Sequence, residues 1–133
     1  MIEASQMIPL LIDASPSFAK VWEDLQKEWA GEPDLPDYVV LGDFARHMCS
    51  LLSEGDEETL MRIFVVIERL HTEGNRYVRE AATVGLLEDL QNTNLHIKNT
   101  SPEQFKRFLL PESCRFWAKL YAFWNEGKII TDD

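Results

Sequence analysis

The stretch Glu57 to Gln91, EETLMRIFVVIERLHTEGNRYVREAATVGLLEDLQ, constrains the fold more than any other part of this chain. In its first half Leu60, Phe64, Ile67 and His71 recur at i, i+4, i+7 and i+11, and Ile63, Val66 and Leu70 form an adjoining stripe. Together they make an apolar arc wider than the roughly 100° of a surface helix. A helix of this kind must be covered on two sides, so it is expected at the centre of the molecule, with Arg62, Arg69 and Glu73 on its wet side. Thr72-Glu73-Gly74-Asn75 then reads as a tight turn, with Gly74 left-handed at the end of one helix and Asn75 capping the next through its side-chain oxygen. The same signal precedes it at Ser53-Glu54-Gly55-Asp56. Two such turns with one helix between them give antiparallel helices in short hairpins, although no further copies make a true repeat. In the second half the apolar stripe is Val78, Ala81, Ala82, Gly85, Leu86 and Leu90. A mid-helix Gly costs about 1 kcal/mol against Ala, so Gly85 is expected either to return close contact between helices or to mark a functional kink.

The flanking segments carry the same periodicity. Ile2–Ala14 is expected to be a short helix with Met7, Leu10 and Leu11 inward and Pro9 near its first turn or at a kink. Ser15-Pro16 opens a helix to Trp29 whose Phe18, Val21, Trp22, Leu25 and Trp29 share one face. Gly31 to Asp37 is an acidic, proline-stiffened loop, and Asp37 is a candidate cap for a helix from Tyr38 to Ser53 carrying Val40, Phe44, Met48, Leu51 and Leu52. Asn92–Thr100 is a polar connection in which Leu95 and Ile97 alternate with His96, as in a short extended piece. Ser101-Pro102-Glu103-Gln104 starts a short helix that Pro111 breaks. In the last helix, Glu112–Glu126, Phe116, Leu120 and Phe123 form one stripe and Trp117, Tyr121 and Trp124 a second; such spacing reads first as core, and an exposed second stripe would move the interface to Trp117, Tyr121 and Trp124. Gly127 ends it, and residues 128–133 read as a loose tail. The expected architecture is therefore all-α: a single domain, residues 1–133, of about six or seven helices in antiparallel hairpins.

The chain holds few signals of chemistry. His47, His71 and His96 are too scattered for a metal site by spacing, and there is no HExxH, CxxC, GxSxG, phosphate loop or dinucleotide fingerprint. Cys114 lies at a helix start, where a thiol can be activated, but has no histidine nearby in sequence. Cys49 and Cys114 sit in apolar helical patterns and read as reduced, buried residues of a cytoplasmic protein. Glu68 and His71, three apart and within reach of Glu80 or Glu88, make an acid/base pair conceivable; the competing reading pairs Glu68 with Arg62, Arg69, Arg76 or Arg79. No enzyme activity, cofactor or metal is expected. No apolar run is long enough to cross a membrane, and the N-terminus is a poor signal peptide.

The charge has two readings, solubility alone and the attraction of a basic partner. The net charge is -10, and residues 1–37 carry eight acids against two bases. Such a field repels nucleic acid and anionic membrane and draws in basic proteins.

The run FARHMCSLLSEGDEETLMRIFVVIERLHTEGNRYVREAATVGLLEDLQN, followed by FKRFLLPESCRFWAKLYAFW, resembles a family of small bacterial helical proteins similar to immunity proteins of contact-dependent inhibition and polymorphic toxin systems. The shared cues are the Ile67-Glu68-Arg69-Leu70 step, the EGN turn, the Val84–Asn92 ending and the Leu109–Trp117 pattern, spanning Phe44 to Trp124. They concern packing and capping, and no functional residue is carried over. The resemblance implies an all-α, HEAT-like domain that neutralises a toxin, and an acidic surface suits the basic cleft of a nuclease. The contact residues expected are the loop acids Glu32, Asp34 and Asp37 with the first-turn acids Asp56, Glu57 and Glu58, flanked by Trp29 and Tyr38 as anchors. Two other readings are a scaffold that binds a partner helix in a groove and an enzyme using Glu68 and His71. The oligomeric state stays open.

Overall fold

A computed structural model describes residues 1–97 and 99–132. The fold is all-α. Helices α1 (Ala4–Ala14), α2 (Ala19–Glu28), α3 (Asp37–Glu54), α4 (Glu57–Glu73), α5 (Arg76–Glu80), α6 (Glu88–Gln91) and α7 (Pro111–Glu126) follow in chain order. Short 3₁₀ turns at Pro16–Phe18, Thr93–Leu95 and Pro102–Phe108 connect them. The helix expected at Pro16 therefore opens as a 3₁₀ turn, the short helix expected at Pro102 is 3₁₀ throughout, and the segment read as extended is 3₁₀ up to Leu95 with His96 extended; Lys98 in that segment lies outside the described residues.

The centre is α4, as its wide arc requires. Leu60, Ile63, Phe64, Ile67 and Leu70 are fully buried, covered by α1, α3 and α7. Asp56 caps it, accepting from the Thr59 amide at 3.2 Å and the Thr59 hydroxyl at 2.8 Å. The turn before it closes on Gly55 at φ 77°, in the left-handed region. The turn after it works differently. Gly74 has φ -72° and ψ 152°, extended backbone, because it pairs with the N-terminus: the Ile2 amide donates to the Glu73 carbonyl at 2.8 Å and the Asn75 amide to the Ile2 carbonyl at 2.9 Å. What the position demands is space. A Cβ there would collide with the Leu70 carbonyl oxygen and lie 2.6 Å from Val78 Cγ1. Asn75 caps α5 as expected, accepting from the Val78 amide at 2.9 Å.

α5 and α6 are the ends of one continuous helix, widened over Ala81–Leu87 into π-helical bonding. Such bonding advances less around the axis per residue than an α-helix, so more consecutive residues face inward. Thr83 and Leu87 join the predicted stripe, and Val84 alone in the widened segment is exposed. Gly85 makes the expected close contact with α3: a Cβ there would lie 2.7 Å from Leu41 Cδ1 and 3.2 Å from Tyr38 Cε1.

The double aromatic stripe of α7 divides along its length. Phe116, Trp117 and Leu120 are buried, Tyr121 is half-buried, and Phe123 and Trp124 are exposed. Cys49 is buried as expected but Cys114 is exposed. Residues 128–132, read above as loose, run back along α7: Lys119 donates to the Thr131 carbonyl at 2.6 Å and Arg79 pairs with Asp132 at 2.8 Å. Asp133 lies outside the described residues.

Candidate partner-binding face

The residues proposed from sequence as one interface occupy two places. Trp29, Glu32, Asp34, Asp37 and Tyr38 gather at the start of α3, whereas Asp56, Glu57 and Glu58 lie past its end. The 18 residues of α3 separate them by about 27 Å at 1.5 Å per residue. The second group is also engaged within the chain: Asp56 caps α4, Glu57 pairs with Arg107 at 2.8 Å and Glu58 with Arg62 at 3.3 Å. Asp37 does not cap α3, whose first flanking residue is Pro36. Its carboxylate instead accepts from the Tyr77 hydroxyl at 2.8 Å. Trp29 is half-buried at the end of α2, while Glu32 and Asp34 are exposed.

The first group continues into a larger face. Tyr38 and Tyr77 meet edge to face with centroids 6.4 Å apart. Along the outer ridge of the α5–α6 helix, Tyr77, Glu80, Val84 and Glu88 follow at helical spacing, and all but the half-buried Glu88 are exposed. Burial, then the charges of Glu80, Asp37 and Glu88, raise the Tyr38 phenol above its ordinary range. Burial and the Asp37 hydrogen bond push Tyr77 up to about 12. Burial likewise raises Glu88, with the Asp89 charge adding to it, and raises Asp89 against the opposing pull of Arg46. The Asp89 carboxylate lies over α3 beside Gly42. Among the described residues, Glu80, Glu88 and Asp89 have no ion pair or hydrogen bond within hydrogen-bonding distance.

Two recesses flank the ridge. One, of about 400 Å³, is lined by Glu88, Asp89, Gln91, Asn92, Thr93 and the exposed Trp124. The other, of about 540 Å³, lies between Arg76, Arg79, Thr83, Phe116 and the returning segment at Ile130–Asp132. The result is an acidic surface studded with Tyr38, Tyr77 and Trp124. Sequence reasoning missed Asp89 and left open whether the Trp117, Tyr121 and Trp124 stripe is buried; Trp124 is exposed and Trp117 is not. The Glu80-Val84-Glu88 spacing was a legible signal, but the packing of α7 that leaves Trp124 outside was not.

The conceivable acid/base pair takes a structural form. The Glu68 carboxylate accepts from the Glu112 and Ser113 amides at 2.8 and 2.9 Å, so it closes the start of α7 and pairs with none of the arginines considered. His71 is 4% exposed, stacked on Phe116 at 5.0 Å. Its Nδ1 lies 3.0 Å from the Ile67 carbonyl and its Nε2 3.0 Å from the Thr83 hydroxyl. A carbonyl only accepts, so Nδ1 carries the proton. Burial holds His71 below its ordinary 6.5, outweighing the Ile67 bond and the charges of Glu68 and Glu112. A contact not foreseen joins Cys49 Sγ to His96 Nδ1 at 3.8 Å. Burial pushes this thiol up to about 11, so it is protonated at neutral pH and unsuited to attack. Among the described residues no three His, Cys, Asp or Glu side chains gather as a metal cage, and no helix is long and apolar enough to cross a membrane.

Fold and face together define an all-α domain of helical hairpins with an acidic, aromatic surface. The chain belongs to the family described as Domain of unknown function (DUF7674), which it matches over residues 8–125. No curated protein and no solved structure matches it.

Proposed function

We propose that this protein is a non-enzymatic immunity protein of the cytoplasm that captures a basic toxin domain on its acidic, aromatic face. The observation that carries the reading is the row Glu80, Glu88 and Asp89, unpaired among the described residues and set between Tyr38, Tyr77 and Trp124. Glu88 and Asp89 are half removed from water with no ion-paired cation among the described residues, which is costly for the free protein, and the exposed Glu80 extends the row. A basic surface supplies the missing partners, and exposed Tyr and Trp side chains supply anchors of low ordering cost. The net charge of -10 adds steering, which speeds capture. The resemblance of the Phe44–Trp124 run to immunity proteins supports a toxin as the partner.

Co-expression with the product of each neighbouring gene that encodes a basic protein tests this. Wild-type protein is expected to restore growth of cells making that protein. Tyr38→Ala and Trp124→Ala are each expected to weaken capture about tenfold, as truncated anchors do. Full protection by a Tyr38→Ala/Trp124→Ala double variant would place the interface elsewhere, and absence of any protection by the wild type would remove the immunity reading.

A further inference from the structure

The outer face of α4 carries a second surface, independent of the acidic one. Met61 is 60% exposed and Val65 is 52% exposed, one turn apart. One turn before them stands Glu57 and one turn after them Arg69, both with exposed side chains. The row Glu57, Met61, Val65, Arg69 therefore runs acidic, apolar, apolar, basic at constant spacing of four. Beside its apolar half, the Phe108–Leu110 loop borders a recess of about 310 Å³ with Met61 and Val65 in its wall.

We propose that this row is the self-association surface of the protein, and that its occupant is α4 of a second copy. The row is complementary to itself when reversed. A two-fold axis between Met61 and Val65 sets Met61 against Val65 of the other copy, and Glu57 against Arg69 of the other copy, at both ends. Rows of this i±4 kind pack into one another at a crossing angle of about -50°, and a two-fold interface repeats each contact twice. A foreign helix would satisfy the apolar pair equally well, but this order of charges about it matches the reversed copy of itself. Glu57 and Arg69 already pair with Arg107 and Glu73. Those pairs are exposed and contribute little, so both ends stay available for exchange. The acidic, aromatic face is not used, and a dimer built this way presents it twice. Glu57, expected from sequence to touch the partner, is assigned to self-association.

Sedimentation equilibrium of the full chain tests the assignment through charge reversal. The wild type is expected to show a concentration-dependent monomer–dimer equilibrium, with circular dichroism confirming helical content in every variant. Glu57→Arg and Arg69→Glu are each expected to weaken the dimer about tenfold or more, because each places like charges together at both ends. Glu57→Arg/Arg69→Glu is expected to dimerise at least as tightly as the wild type, since opposite charges meet again across the interface and no intrachain pairs with Arg107 and Glu73 have to be exchanged. Met61→Lys is expected to abolish dimerisation. A wild type that stays monomeric to about 1 mM, the weak limit of specific association, overturns the proposal. So does a double reversal no better than the singles. A monomeric wild type that binds an amphipathic helical peptide, and loses it in Met61→Lys, would assign the row to a foreign helix instead.

Discussion

Glu68 shows how one side chain settles the relation between two distant elements. It stands on α4 and receives the first free amides of α7, 44 and 45 residues away. An anion at a helix N-terminus is favoured both by those donors and by the helix dipole. Removing it leaves two amides without partners in a part-buried place, so Glu68→Ala is expected to cost about 1–3 kcal/mol. Glu68→Gln, which keeps an acceptor but no charge, should cost less, and urea denaturation distinguishes the two. Its neighbour His71 makes stability depend on pH. Its folded value is depressed below 6.5 by burial, so the unfolded chain takes up the proton first. Its contribution is intact above 6.5 and declines as pH falls from there towards the folded value. Thermal melts between pH 7 and pH 5 should show that decline, and His71→Gln should flatten it.

At the scale of elements, the helices were legible because burial follows an apolar period of 3.6, and α4 announced its central place by the width of its arc. The caps Asp56 and Asn75 were legible because each must sit at one position relative to the amide it receives. The π-helical widening was not, since local spacing within Ala81–Leu87 fits an ordinary helix. The widened segment packs against α3 and places Thr83 on His71, contacts that no local pattern carries. Gly74 misled for a related reason. Glycine after a helix signals a left-handed end, whereas here it makes room beside Val78 while its backbone runs extended. Gly74→Ala is accordingly expected to destabilise by about 1–3 kcal/mol, as overpacking does, despite a φ open to any residue. Gly85→Val tests the other close approach. It should lower the melting temperature and, by displacing Tyr38, also weaken partner capture.

For the whole molecule, composition revealed an acidic protein but not where its charge is left uncompensated. The loop and first-turn acids looked alike in sequence, and helix length alone put them at opposite ends of α3. Burial raises Glu88 and Asp89 above their ordinary 4.5 and 3.8. Raised carboxyls cost the fold most when ionised, and the cost is relieved as pH falls through the folded values towards those ordinary ones. Asp89→Asn at pH 7 is therefore expected to melt no lower than wild type while binding its partner less well, the trade expected where a site is kept for function. The most direct measurement is a calorimetric titration of the basic partner at low and high salt, comparing wild type with Glu80→Lys/Glu88→Lys/Asp89→Lys and with Asp56→Asn/Glu58→Gln. The acidic face predicts that the triple reversal weakens binding by about 100-fold or more and removes most of its salt dependence, while the far-end variant binds as the wild type does. Binding that is insensitive both to salt and to the triple reversal would contradict it.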